Sequence, residues 1–272
     1  MLALEQKIRY NSLKVRRKER FMHFLLTNDD GIDAIGLKAL SAAITQAGHT
    51  VTVCAPQSQQ SAASHHLTLN APLMVQEVPW EGGEAYALGG TPADCARIGK
   101  LLSGRPIDFA FSGINNGENA GTAIFYSGTV SAAREARMCG LPAMAVSIMT
   151  GADWNTLLRL GRMAVDIAEK TDGKELPRLS ILNLNAPAIP ADQWKPLRLA
   201  PLSDACYLDS YERRVSPRGQ SYFWLEAGLK IEPHRPGTDM ALLNDGCPVL
   251  SLVGPYLEEN GWIRENLQEL IH

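Results

Sequence analysis

The fold is decided by residues 22–56, which read MHFLLTNDDGIDAIGLKALSAAITQAGHTVTVCAP. The apolar run at residues 22–27 is short and ends in polar turn residues, which is typical of a buried strand. Residues 33–47 place isoleucine and leucine at helical spacing, and Gly48 marks the end of that helix. Residues 51–55 form a second apolar run. This order of strand, helix and strand predicts a βαβ unit with a right-handed crossover.

The same alternation continues along the chain. We predict helices and strands, in turn, over residues 91–102, 107–111, 127–139, 143–148, 154–170 and 179–184. Such alternation predicts an α/β fold with a mainly parallel sheet and helices on both faces. After Pro190 the pattern changes, because residues 198–200 and 221–226 resemble strands and the turn Ser216-Pro217-Arg218-Gly219 precedes the second. We therefore expect a C-terminal β-hairpin arm on this core.

Composition is that of an ordinary globular protein. The chain has 272 residues, of which 45% are hydrophobic and 20% charged, so we do not expect general disorder. Its net charge of −3 gives no bulk attraction for nucleic acid or an anionic membrane, so we expect neither DNA nor a membrane as a partner. The five cysteines form no CxxC pair, and the basic first 20 residues lack the apolar region of a signal peptide. We expect free thiols and a cytoplasmic location.

Polar loops follow three of the predicted strands, at the edge where open α/β sheets bind ligands. The first loop contains Asp29 and Asp30, two adjacent carboxylates that would repel each other unless a cation lay between them. Gly31 lets the chain turn at this point. The alternative is that Asp30 or Asp33 caps the following helix, for which one aspartate would suffice. Spacing alone leaves metal binding and capping open.

The second loop, residues 56–66, is polar and is either an ordinary surface loop or a source of ligand hydroxyls and substrate contacts. Its pair His65-His66 does not predict zinc, because adjacent histidines rarely bind one ion and no further nitrogen or sulfur ligand is suggested nearby. The three loops together offer carboxylate, hydroxyl and amide oxygens and no soft ligand, a set that suits Mg²⁺ or Mn²⁺.

The third loop, residues 112–121, reads SGINNGENAG and leads to Ser127-Gly128-Thr129 at the start of a helix. Backbone amides at a helix N-terminus form an anion site, and Ser127 can cap the same helix while they do so. Neither the P-loop pattern GxxxxGK[ST] nor GxGxxG occurs at these loops. Any phosphate would therefore be bound in a different way from that of a P-loop or dinucleotide-binding protein.

Several motifs along the chain occur together in one known family. They are FLLTNDDG at 24–31, Ala55-Pro56, Gln60-Ser61, GGTPADC at 89–95, SGINNGENAG at 112–121, YSGTVSAARE at 126–135, NLNAP at 183–187 and Gly237-Thr238-Asp239. With these motifs in this order, residues 22–246 closely resemble the stationary-phase survival protein family, SurE. The chain departs from the family's pattern at Gln57, Ser58 and Gln59, which are neutral, and this leaves base and sugar preference open. It departs again at Glu135-Ala136, where the family often has Glu-Gly, a difference that we assign to packing.

The resemblance implies a metal-dependent 5′/3′-nucleotidase on a Rossmann-like fold. It implies one divalent ion, Mg²⁺ or Mn²⁺, with the ligands Asp29, Asp30, Ser61 and Asn115. It places the phosphate site at Asn119, Ser127, Gly128 and Thr129. It also implies a homodimer or homotetramer that uses the arm around residues 207–225. The domain organisation that we expect is a basic, poorly packed extension over 1–21, a catalytic core over 22–190, and an arm and oligomerisation region over 191–272.

We therefore expect a phosphomonoesterase that hydrolyses nucleoside 5′- and 3′-monophosphates, with Asp29 and Asp30 as catalytic residues. Either carboxylate could accept a proton from an attacking water, or could itself attack to form an aspartyl-phosphate, and the sequence leaves both mechanisms open. The rival hypothesis is a non-catalytic nucleotide-binding regulatory module. The aspartate pair argues against it, because a pure anion binder gains nothing from two carboxylates beside a phosphate.

Overall fold

A computed structural model describes residues 21–171, 175–204, 207–208, 210–226, 230–231 and 234–254. The first 20 residues of the predicted basic extension and the last 18 residues of the predicted arm region, 255–272, lie outside this description. The strands are β1 (His23–Thr27), β2 (Thr50–Pro56), β3 (Val75–Val78), β4 (Gly83–Leu88), β5 (Phe109–Asn116), β6 (Ala143–Ile148), β7 (Ile181–Ala186), β8 (Arg198–Leu199), β9 (Tyr207–Leu208), β10 (Tyr211–Val215), β11 (Ser221–Leu225), β12 (Lys230–Ile231) and β13 (Val249–Val253). The helices are α1 (Ile35–Gln46), α2 (Pro92–Leu102), α3 (Gly128–Met138), α4 (Trp154–Thr171) and α5 (Asp239–Asn244).

The core of the molecule is a nine-stranded sheet with the order β3-β4-β2-β1-β5-β6-β7-β13-β8. Its strand pairs are parallel except for β3 with β4 and β13 with β7. Helices α1 and α4 pack on one face, against Phe24 and Leu26 of β1, whereas α2 and α3 pack on the other, against Leu25. This alternation follows from the period of two along a strand. The predicted α/β fold, with a mainly parallel sheet and helices on both faces, is confirmed.

The predicted helices of the core are confirmed to within two residues at each end. Helix α2 begins as its Thr-Pro start predicts: Thr91 accepts a hydrogen bond from the Asp94 N–H, and the Asp94 carboxylate accepts one from the Thr91 N–H. This reciprocal pair satisfies two of the N–H groups that the first turn leaves without a helical partner. Local sequence signals of this kind explain why the helix ends were predictable.

Two parts of the sheet are not predicted from the sequence pattern. Strands β3 and β4 form an antiparallel pair at one edge, where the exposed VQEV of β3 shows no apolar alternation. The second part is the opposite side of the sheet, where β13 lies antiparallel to β7 and parallel to β8. The sheet therefore includes strands from the chain after Pro190. The strand predicted over 107–111 is also too short, because β5 runs on to Asn116. The first half of the predicted loop 112–121 is therefore strand.

The predicted β-hairpin arm is present as β10 and β11, paired antiparallel from Tyr211 opposite Leu225 to Val215 opposite Ser221. The turn Ser216–Gly219 closes it with a hydrogen bond from the Gly219 N–H to the Ser216 carbonyl. The side chains of both strands are exposed. Within the described ranges, no helix combines the length and the apolar character that a membrane crossing requires.

Candidate metal and phosphate site

The three predicted loops meet in one pocket beyond the carboxyl ends of β1, β2 and β5. This pocket has a volume of about 390 Å³. Its lining includes six of the eight predicted site residues: Asp29, Asp30, Ser61, Asn115, Asn119 and Ser127. The other two, Gly128 and Thr129, are buried in the first turn of α3 directly behind Ser127. The structure thus brings all of the predicted residues together, as the position rule for parallel sheets anticipates.

Asp29 is buried at the end of β1 and packs against the first turn of α3. The Thr129 hydroxyl donates a hydrogen bond to the Asp29 Oδ1. Burial raises the pKa of Asp29 to about 6; the Thr129 hydrogen bond opposes this rise and the charge of Asp30 adds to it. A Cβ atom at Gly128 would lie 2.9 Å from the Asp29 Oδ2, so only glycine permits this approach. Asp29 is therefore a carboxylate in a confined site that disfavours its charge unless a cation is near.

Asp30 faces the same pocket and is only partly buried. Its Oδ2 accepts a hydrogen bond from the Asn116 N–H at 3.1 Å, and its Oδ1 accepts one from the Gln59 side chain at 3.2 Å. The residue at the N-cap of α1 is Ala34, and no side chain caps that helix. The capping alternative for Asp30 and Asp33 is therefore wrong. The pair Asp29 and Asp30 is left for another role in the pocket.

Ser61 and Asn115 supply the neutral oxygen atoms of the pocket. Asn115 donates from Nδ2 to the Gly117 carbonyl at 2.7 Å, so its Oδ1 is the side-chain atom that remains for a cation. Ser61 lies on the loop after β2. A hydrogen bond of 2.7 Å from the Gln60 N–H to the Asp29 carbonyl joins this loop to the one that follows β1. The two candidate ligands thus come from different strands on either side of the aspartate pair.

Asn119 is held by a buried polar network that sequence reasoning missed. Its N–H donates to the Asn185 Oδ1 and its Nδ2 donates to the Ser147 Oγ, each at 2.8 Å. Its carbonyl accepts from the side chains of Asn183 and Asn185, at 2.8 and 3.1 Å. The available signal was the polar residues inside the otherwise apolar β6 and β7, since buried polar groups are retained where partners satisfy them. This network fixes the loop that closes one side of the pocket.

The electrostatic balance of the pocket is negative. Ser127 caps α3 by accepting from the Val130 N–H at 3.0 Å, so the helix N-terminus points its partial positive charge at the pocket. Among the described residues that line the pocket, none is lysine or arginine, whereas two are aspartate. A phosphate could not approach two carboxylates without a compensating cation.

The donor set of the pocket fits a hard divalent cation. The described residues contain no cluster of three or more histidine, cysteine, aspartate or glutamate side chains that could hold a metal ion by themselves. The two aspartates would therefore need neutral oxygen ligands beside them. An ion here would have two carboxylates, the amide and hydroxyl oxygens and water as its ligands. Mg²⁺ is commonly bound in this way, through one or two carboxylates with several waters retained. The residues present therefore fit Mg²⁺ or Mn²⁺.

Fold and site together define a class: a Rossmann-like α/β protein with an acidic, oxygen-lined pocket at the carboxyl edge of its sheet. The model of the family Survival protein SurE matches residues 24–209, and the chain belongs to the SurE family.

Similar proteins support this assignment over most of the chain. A 5′-nucleotidase SurE of Desulfovibrio desulfuricans is 44% identical over 235 residues, which cover 83% of this chain and 90% of that protein. A 5′-nucleotidase SurE of Synechococcus sp. is 38% identical over 248 residues, covering 87% and 90%. The crystal structure of the SurE protein from Aquifex aeolicus superposes with a TM-score of 0.75 at 29% identity, covering 92% of this chain and all of that one.

Proposed function

We propose that this protein is a divalent-metal-dependent phosphomonoesterase that hydrolyses nucleoside 5′- and 3′-monophosphates to nucleoside and phosphate. The observation that carries the proposal is that the pair Asp29 and Asp30 shares one pocket with the N-terminus of α3, without a basic side chain among the described lining residues. An anion site beside two carboxylates requires a cation between them. Family membership, and relatives named 5′-nucleotidase SurE, support a nucleotide as the substrate.

Each predicted residue has a chemical role in this proposal. One Mg²⁺ or Mn²⁺ ion per subunit would be held by Asp29, Asp30, Ser61 and Asn115. When bound, the ion supplies Lewis acid activation of a phosphate oxygen and of water. The phosphate would be bound by Asn119, Ser127, Gly128 and Thr129. The N-terminus of α3 directs the positive end of the helix dipole at this position, which would stabilise the charge that develops on the equatorial oxygens.

We favour water over an aspartate as the nucleophile. Asp29 is enclosed by the Thr129 hydroxyl on one oxygen and by Gly128 on the other. Both oxygens of Asp30 accept hydrogen bonds. These contacts hold both carboxylates in place, which suits fixed ligands of a cation better than a nucleophile that must move onto phosphorus. One of the two carboxylates accepts the proton that the attacking water loses.

The activity is tested by phosphate release from nucleoside monophosphates before and after chelation. The chain stripped with EDTA is expected to release phosphate from 5′- and 3′-monophosphates only after Mn²⁺ or Mg²⁺ is restored, because the aspartate pair then has its cation again. Glycerol phosphate serves as a phosphate ester without a nucleoside. Release that is indifferent to chelation would contradict the metal dependence, and nucleotide binding without release would favour the regulatory module.

The anion site is tested by Thr129→Ala. Removing the hydroxyl takes away the hydrogen bond to Asp29 and loosens the first turn of α3, where phosphate would bind. Inhibition by vanadate is therefore expected to weaken about tenfold, which is close to the effect of losing one hydrogen bond. Thr129→Ser keeps the hydroxyl and is expected to behave like the wild type. The measurement is the vanadate inhibition constant of the wild type and of both variants. An unchanged constant in Thr129→Ala would mean that Thr129 stabilises the start of the helix and does not contribute to the anion site.

We also propose that the hairpin β10–β11 joins subunits into a homodimer or homotetramer. Its residues Tyr211, Phe223 and Trp224 are 60%, 61% and 58% exposed. A two-stranded ribbon is marginal alone, and aromatic side chains are enriched where subunits meet. In this proposal residues 22–190 carry catalysis, residues 191–272 carry assembly, and the enzyme works in the cytoplasm.

A further inference from the structure

A buried carboxylate ties the loop that carries Ser61 to helix α3. The Glu135 side chain is 1% exposed and accepts a hydrogen bond from the His65 Nε2 at 2.7 Å. It accepts a second from the Nε of Arg97 on α2. His65 lies only four residues after Ser61, in the same loop. One carboxylate thus joins this loop to both helices on its side of the sheet.

The loop needs such external contacts because its backbone is not in a relaxed conformation. Ala62 and Ser64 have φ angles of 55° and 49°, in the left-handed region that residues with a Cβ rarely adopt. Conformations of this kind persist only when the surrounding structure holds them. Two backbone hydrogen bonds contribute, from Gln60 to the Asp29 carbonyl at 2.7 Å and from Ser64 to the Tyr126 carbonyl at 3.1 Å. The bond from His65 to Glu135 is the side-chain contact at the far end.

We propose that His65 and Glu135 are positioning residues that hold Ser61 in place at the cation site. The inference rests on the proposed role of Ser61 as a metal ligand. Glu135 stands on the helix whose first turn carries Gly128 and Thr129, so the same rigid element sets both the phosphate site and the Ser61 loop. Partners that orient metal ligands typically contribute 10- to 100-fold to metal affinity.

The test measures Mn²⁺ binding to the full-length, EDTA-treated protein by the electron paramagnetic resonance signal of free Mn²⁺. His65→Ala is expected to raise the dissociation constant about tenfold, because the loop loses its link to Glu135 while Arg97 still pairs with that carboxylate. His65→Gln retains an N–H donor of similar reach and is expected to restore most of the affinity. The neighbouring His66→Ala is the matched control. The backbone carbonyl of His66 accepts a hydrogen bond from the Thr91 hydroxyl at 2.6 Å, and this contact survives the substitution.

A second arm separates positioning of Ser61 from general loosening of the fold. Ser61→Ala alone is expected to weaken Mn²⁺ binding, and Ser61→Ala with His65→Ala is expected to be no weaker, because His65 acts through Ser61. Independent, additive losses would overturn the inference, as would wild-type affinity in His65→Ala. Absence of Mn²⁺ binding in the wild-type protein would instead reject the proposed metal site, and the inference with it.

Discussion

Asp29→Asn and Asp30→Asn are each expected to lower metal-stimulated phosphate release by about 10²- to 10³-fold, the usual cost of removing one preorganised electrostatic contact. Each change replaces a charged oxygen ligand by a neutral amide of the same shape. The cation then has one carboxylate in place of two, and it can offset less of the charge of a phosphate in a pocket without a basic side chain among its described lining residues. The rate of phosphate release at saturating Mn²⁺ measures the effect.

The matched control for this pair is Asp33→Asn, three residues further along the chain. The Asp33 side chain is 95% exposed, and its contact is a surface ion pair of 3.5 Å with Lys38, so little activity should be lost. Thermal unfolding in EDTA shows whether a variant has lost activity because it is misfolded. Asp29→Asn should be at least as stable as the wild type, because burial disfavours the charge that the substitution removes. Full activity in both Asp29→Asn and Asp30→Asn would end the metal-site proposal.

Removal of the hairpin is expected to leave a monomer, because the proposed assembly of subunits depends on it. A deletion of residues 204–225, closed with a short Gly-Ser linker, removes the exposed aromatic side chains but also the ion pair between Asp204 and Arg235. The structure offers a narrower cut, residues 211–225, because Ser210 and Glu226 already lie side by side. The Glu226 N–H donates to the Ser210 carbonyl at 3.0 Å. Two glycines should bridge this gap without strain.

Sedimentation of both proteins at micromolar concentration reads out the result. The full-length chain should have the mass of a dimer or tetramer, and the chain without residues 211–225 that of a monomer, because the deleted strands hold the exposed aromatic surface. Phe223→Ser with Trp224→Ser should weaken assembly in the same direction. Arg218→Ser, in the turn of the same hairpin, is the control that should leave the mass unchanged. A full-length protein that sediments as a monomer would refute assembly through the hairpin.

Local sequence signals predicted the parts of the fold that depend on short-range physics. Apolar runs predicted the buried parallel strands, and caps such as Thr91 and Ser127 predicted helix starts. The edge strand β3 was missed because an exposed edge requires little apolar alternation. Strand β4, which lies between β3 and β2, was missed with it. Strand β13 was missed because its pairing with β7 joins segments more than 60 residues apart, and no local pattern specifies such a partner.

The candidate site divides in the same way. By itself the sequence determined the residue types that meet at the pocket, because polar residues after parallel strands converge at one edge of the sheet. Only the tertiary structure decided that Asp30 and Asp33 do not cap α1, that Thr129 donates to Asp29, and that no basic side chain lines the described pocket. It alone showed Glu135 bound to His65, 70 residues away. The physical reason is that strand periodicity and capping act over a few residues, whereas burial, pKa and hydrogen-bond partners depend on segments that only the folded chain brings together.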